Sequence, residues 1–92
     1  MKLSTPVINF ILELNKKGKI TNSGSGLLRM TYYTIVWYLK GKDIIVCDGT
    51  NEKNEKVWVL SDRGQRLAHH LKEINKLFKE DKHESEAVNL QH

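Results

Sequence analysis

Within residues 56–79, KVWVLSDRGQRLAHHLKEINKLFK, the apolar side chains change period once. Val57, Trp58, Val59 and Leu60 form a β-branched and aromatic run that reads as a strand. From Leu67 the spacing becomes helical, through Leu71, Ile74 and Phe78. Between the two stand Ser61-Asp62-Arg63-Gly64. The Ser61 hydroxyl is placed to accept from a first-turn N–H that has no partner inside the helix. Asp62 puts negative charge at the positive end of the helix dipole. A strand therefore runs directly into a long helix, and the rest of the chain has to pack around that junction.

The first helix is marked at both ends. Ser4-Thr5-Pro6 offers a hydroxyl cap with proline at the first helical position, where its missing N–H does no harm. Lys16-Lys17 and then Gly18 suit the C-terminal end. Val7, Ile8, Ile11, Leu12 and Leu14 make a wide apolar stripe, and Phe10 points away from its centre. That extra face is either covered within one subunit or meets a partner chain, and Phe10 is assigned to the latter. Lys19-Ile20-Thr21 is short enough for only a fragment of strand. Asn22-Ser23-Gly24-Ser25-Gly26 forms turns, and it lacks the Gly-Lys-Ser/Thr ending of a phosphate-binding loop.

Residues 28–40, LRMTYYTIVWYLK, predict a helix that buries Leu28, Tyr32, Ile35, Val36 and Leu39. Arg29, Tyr33, Trp37 and Lys40 fall on a different face, with Thr34 on its flank. Strands at 44–48 and 56–60, joined by a polar loop, predict an antiparallel hairpin. Cys47 in the first strand reads as a small buried or half-buried hydrophobe rather than a reactive thiol. A single cysteine excludes an internal disulfide, and no His/Cys cluster offers a zinc site.

LSDRGQRLA at 60–68 resembles the leucine–threonine–glutamate–lysine–glycine–arginine junction of winged-helix transcription regulators, which leads from the last wing strand into the C-terminal helix. Leu39 followed after four residues by Ile44-Ile45 is similar to that family's passage from recognition helix to wing, with Asp43 where the family usually has glycine. The resemblance covers about residues 5–80. It implies an α+β winged helix-turn-helix with a short or degenerate second helix, a two-stranded β-hairpin wing and a long C-terminal helix. The second helix is expected either as one turn near 25–29 or replaced by the glycine-serine loop. The resemblance also implies sequence-specific binding of double-stranded DNA by a small transcription regulator.

The charge distribution suits a polyanionic partner. Residues 1–79 carry 14 Lys/Arg against 7 Asp/Glu, whereas residues 80–92 are acidic. With the 28–40 helix in the major groove and 44–60 as wing, Arg29 can pair with guanine. Thr31, Tyr33, Thr34 and Trp37 can meet phosphates or bases, and Lys40, Lys42, Lys53 and Lys56 can neutralise backbone charge. The competing readings are Tyr33 and Trp37 as core or interface residues, a protein–protein winged helix, and a charge-driven architectural or RNA-binding role.

Catalysis finds no motif. His69 and His70 are adjacent on a helix and diverge by about 100°, too far to share a metal from that segment. No enzyme activity, cofactor, metal or small-molecule ligand is expected.

Leu67, Leu71, Ile74 and Phe78 alternate four and three apart, a coiled-coil spacing. With Phe10 they are assigned to a homodimer interface, the alternative being packing onto the first helix of the same subunit; a dimer would set two recognition helices roughly 34 Å apart on DNA. At 92 residues the core is thin, so a second subunit would add useful burial. Residues 81–92 are expected to be a polar, mobile tail. No run approaches the ~20 apolar residues of a membrane span and no signal-peptide pattern is present, so a cytoplasmic protein is expected.

Overall fold

The computed structural model describes the backbone of residues 3–90 and side chains as far as Phe78. Its elements run α1 (Thr5–Lys17), α2 (Arg29–Gly41), β1 (Ile45–Thr50), β2 (Lys56–Leu60) and α3 (Asp62–Leu90). It is an α+β fold of three helices and one two-stranded antiparallel hairpin. β1 pairs with β2 in the register Ile45↔Leu60, Val46↔Val59 and Cys47↔Trp58, and an irregularity separates these from Thr50↔Lys56. Ile20 adds a one-residue third strand, exchanging two backbone hydrogen bonds with Trp58 at 2.9 and 3.0 Å. No described helix is long and apolar enough to cross a membrane.

The core lies between the helices and the root of the hairpin. Val7, Ile11 and Leu14 of α1 meet Tyr32, Ile35, Val36 and Leu39 of α2, with Ile44, Ile45, Trp58, Ala68 and Leu71 closing the cluster. α1 packs on both α3 and β2, which accounts for the width of its apolar stripe. Phe10 is not an interface residue. It is 3% exposed, its ring centroid 6.1 Å from that of Tyr32, because α2 covers the side of α1 that α3 leaves open.

The junction after β2 is tightly determined. Ser61 Oγ accepts from the Gly64 N–H at 3.0 Å, the cap expected from the sequence. The same hydroxyl lies 2.6 Å from the Asp43 carbonyl and 3.0 Å from that of Ile44, and the Ser61 N–H donates to Ile44 O at 2.9 Å. Gly64 sits directly against this strand root. A Cβ built there would stand 2.0 Å from Ile44 O, so the position has no room for a side chain. The glycine of the 60–68 segment is thus required by backbone approach rather than by torsion angle.

At the other side of that contact, α2 ends in a left-handed turn. Ile44 N donates to Leu39 O at 2.9 Å and Asp43 N to Lys40 O at 3.0 Å, while Asp43 takes φ 59°. This is the six-to-one closure that commonly terminates helices, with its left-handed residue usually glycine and its flanking apolar pair here Leu39 and Ile44. The spacing of Leu39 and Ile44 in the sequence follows from that closure.

Several expectations change. Ser4 flanks α1, but its side chain makes no capping bond, and Pro6 is the second helical residue rather than the first. No helical turn lies between Ile20 and Arg29, so the glycine-serine loop stands in place of a second helix. Leu28 precedes α2 and is 80% exposed instead of buried, because that loop brings no helix over it. Cys47 is exposed, since the hairpin projects past the helices that cover Ile45. The coiled-coil spacing on α3 divides: Leu71 is buried and Leu67 packs on the core, whereas Ile74, Leu77 and Phe78 are exposed. A four-three spacing reports an apolar stripe without saying whether the covering helix belongs to the same chain, and for Leu67 and Leu71 it does. The backbone of α3 continues to Leu90 through most of the segment expected to be a tail, where lysine, glutamate and alanine are good helix formers and neither glycine nor proline occurs. The side chains beyond Phe78, and residues 91–92, lie outside the described residues.

Candidate nucleic-acid interface

α2 turns its two sides to different surroundings. Tyr32, Ile35, Val36 and Leu39 enter the core, and the opposite side carries Met30, Thr34 and Trp37, which are exposed. Along the flank nearest the hairpin the side chains form a ladder one helical turn apart. The Arg29 guanidinium lies 5.8 Å from the Tyr33 ring centroid, and the Tyr33 and Trp37 centroids are 6.1 Å apart. Tyr33 also meets Tyr32 edge-on at 5.3 Å, so it is half-buried, while Trp37 is 70% exposed. Lys40 follows, its Nζ 5.9 Å from the ring centroid of Trp58 on β2.

Between this ladder and the hairpin lies a cleft of about 540 Å³. Arg29, Tyr33, Trp37 and Lys40 form one wall, Lys56 and Trp58 the other, and Asn22, Asn54 and Glu55 close the end. Of the residues assigned from the sequence, Arg29, Tyr33, Trp37, Lys40 and Lys56 come together here. Thr31 and Lys42 do not. They lie on the far flank of α2 or beyond its end, with Lys42 Nζ 6.0 Å from the Tyr38 centroid. Lys53 is at the exposed hairpin tip, its N–H donating to Asn51 Oδ1. Thr34 is exposed, but its hydroxyl already donates to Met30 O at 2.8 Å, which leaves its oxygen as an acceptor only.

The end of the cleft is fastened by one carboxylate. Glu55 accepts from Ser23 Oγ at 2.8 Å, from the Ser23 N–H at 3.0 Å and from Asn51 Nδ2 at 3.1 Å. These bonds, led by that from the Ser23 hydroxyl, hold its pKa below the ordinary 4.5. Asn51 Oδ1 meanwhile accepts from the Lys53 and Glu55 N–H groups and shapes the hairpin turn. The glycine-serine loop is therefore tied to the hairpin across 32 residues of sequence. Under the cleft, the Tyr32 hydroxyl is buried with no hydrogen-bond partner, and burial pushes its pKa up to about 12.

The cations of the cleft have no ion-pair partner among the described residues. Among the described residues the one ion pair joins Lys17 to Glu13 on α1, so Arg29, Lys40 and Lys56 have no carboxylate within 4 Å. Elsewhere, the His69 and His70 rings stand 5.9 Å apart on α3, and no group of three potential metal ligands occurs among the described residues. The contributions of Trp58, Asn22 and Glu55 escaped sequence reading, because each reaches the cleft only through hairpin pairing or a long-range contact. The exposed Leu28 and Met30 were missed as well; no motif marks them.

Compared with models of known protein families and with curated proteins, the chain matches none.

Proposed function

We propose that the protein is a winged-helix regulator that reads double-stranded DNA, with α2 offered to the major groove and the β1–β2 hairpin as wing. It would act inside the cell as a homodimer on a pseudo-palindromic site. The observation that carries this reading is the Arg29–Tyr33–Trp37–Lys40 ladder. It is exposed or half-exposed, its cations have no ion-pair partner among the described residues, and it lies beside a hairpin that contributes Lys56. An α-helix fills the width of the B-DNA major groove, and arginine is the side chain best suited to guanine there. The dimer contact is assigned to Ile74, Leu77 and Phe78, three exposed apolar residues on one stripe of α3, with Phe78 71% exposed. Leu71 and Phe10 no longer belong to it, both being core residues of one chain.

A second reading rests on a separate observation. Leu28, Met30 and Trp37 are each at least 70% exposed. An apolar surface of that kind is more usual at protein contacts than against phosphate. One experiment separates the two. Selection from a random duplex pool, followed by titration, should yield a preferred duplex, and Arg29→Ala should lower the preference by about 1–3 kcal/mol. Each phosphate neutralised should steepen log K against log salt by about 0.9. Equal affinity for scrambled duplex would favour an architectural role. No duplex binding at about 50 mM salt, where counterion release helps most, would favour a protein partner. In sedimentation Phe78→Glu should yield monomers; an unchanged mass would place the contact elsewhere.

A further inference from the structure

We infer that the cleft between α2 and the hairpin is a binding site for a small planar aromatic anion. The inference does not depend on DNA binding. Its volume, about 540 Å³, lies within the range of about 300–1,000 Å³ usual for small-molecule pockets. Tyr33 and Trp37 line one side, and the small exposed part of the largely buried Trp58 reaches the other, so a flat ring entering the cleft meets aromatic surface chiefly on the α2 wall.

The charge of the ligand follows from what surrounds those rings. Arg29, Lys40 and Lys56 line the same space, and among the described residues none has a carboxylate within 4 Å. The cleft's own acid, Glu55, is engaged by Ser23 and Asn51 at the end of the cleft and forms no ion pair with these cations. Arg29 and Lys40 rest instead over the faces of Tyr33 and Trp58. That contact is weaker than a charge-assisted hydrogen bond to an anion. A ring carrying a carboxylate or phosphate satisfies both the walls and the cations; a neutral ring or a compact anion satisfies one of them.

Two sources share this chemistry, a free aromatic acid and a mononucleotide. Both tryptophans of the chain, Trp37 and Trp58, line the cleft, so intrinsic fluorescence reports occupancy directly. The full chain is titrated with 1-naphthoate, 5′-AMP, the neutral 1-naphthalenemethanol and the non-aromatic cyclohexanecarboxylate. Saturable change with 1-naphthoate or 5′-AMP, at least about tenfold tighter than with the two controls, is expected. Whichever anion binds names the source. The double variant R29Q/K40Q, altered only at exposed side chains, should weaken that binding about tenfold or more with an unchanged far-UV circular dichroism spectrum. Absence of saturation with both anions overturns the inference. So does equal affinity for the neutral ring, or an undiminished affinity in a folded R29Q/K40Q. Duplex binding is scored separately, so either proposal can fail alone.

Discussion

Two regions of this molecule lie only a few residues apart and differ in how completely the fold accounts for them. At the junction between the end of α2 and the start of α3, the backbone and polar side-chain contacts have internal reasons. Gly64 makes room for Ile44 O, Ser61 caps α3 and reaches back to Asp43, and the Asp43 turn closes α2. On the exposed face of α2 the opposite holds. Trp37 and Met30 extend large apolar surface into solvent, and Arg29 and Lys40 have no acid partner among the described residues. Residues that the fold does not need, on a surface where they are costly to expose, are where function is to be sought. The contrast therefore separates architecture from activity more cleanly than composition does.

The largest expected effect tests the first half of that contrast. Gly64→Ala drives a methyl group into Ile44 O and should destabilise the protein by about 3 kcal/mol, lowering Tm by about 12–24 °C. A change under about 1 kcal/mol would show that the junction yields easily. Ser61→Ala removes the cap of α3 and the link to Asp43, and chemical denaturation should show a loss of about 1–2 kcal/mol. Asp43→Gly should act in the opposite sense. It frees a left-handed residue at φ 59°, and a gain of about 0.5–1 kcal/mol is expected in the same assay. Smallest of all, Trp37→Ala should change stability by no more than about 0.5 kcal/mol while weakening whatever binds at α2. A large loss of stability there would return Trp37 to the architecture and erase the contrast.

Much of the architecture was legible in the sequence because its signals are local. The switch of period around residue 61, the Ser61 cap and the Leu39 to Ile44-Ile45 spacing each act within one or two turns of chain. The errors share a cause as well. Phe10 looked surplus because a single-helix projection assumes one covering partner, whereas α1 packs on α3 and β2 and meets Tyr32 of α2 as well. Leu71 looked available because an a/d stripe is the same whether its partner lies within the chain or in another. Cys47 looked covered because strand alternation does not reveal where the helices stop. The candidate site was half legible: the α2 ladder follows from four-residue spacing, but the facing Trp58 wall and the Glu55 clasp depend on pairings that no local pattern encodes.

The hydrogen-bonded contact of Ser61 with Asp43 and Ile44 has a mechanical meaning. It fixes the foot of the long final helix to the heel of α2 and to the base of the hairpin at a single point, with no slack for a side chain between them. A load placed on that helix would bear on the point where the end of α2 meets the start of the hairpin. The joint between them is built of two carbonyls, a hydroxyl and the absence of one methyl group.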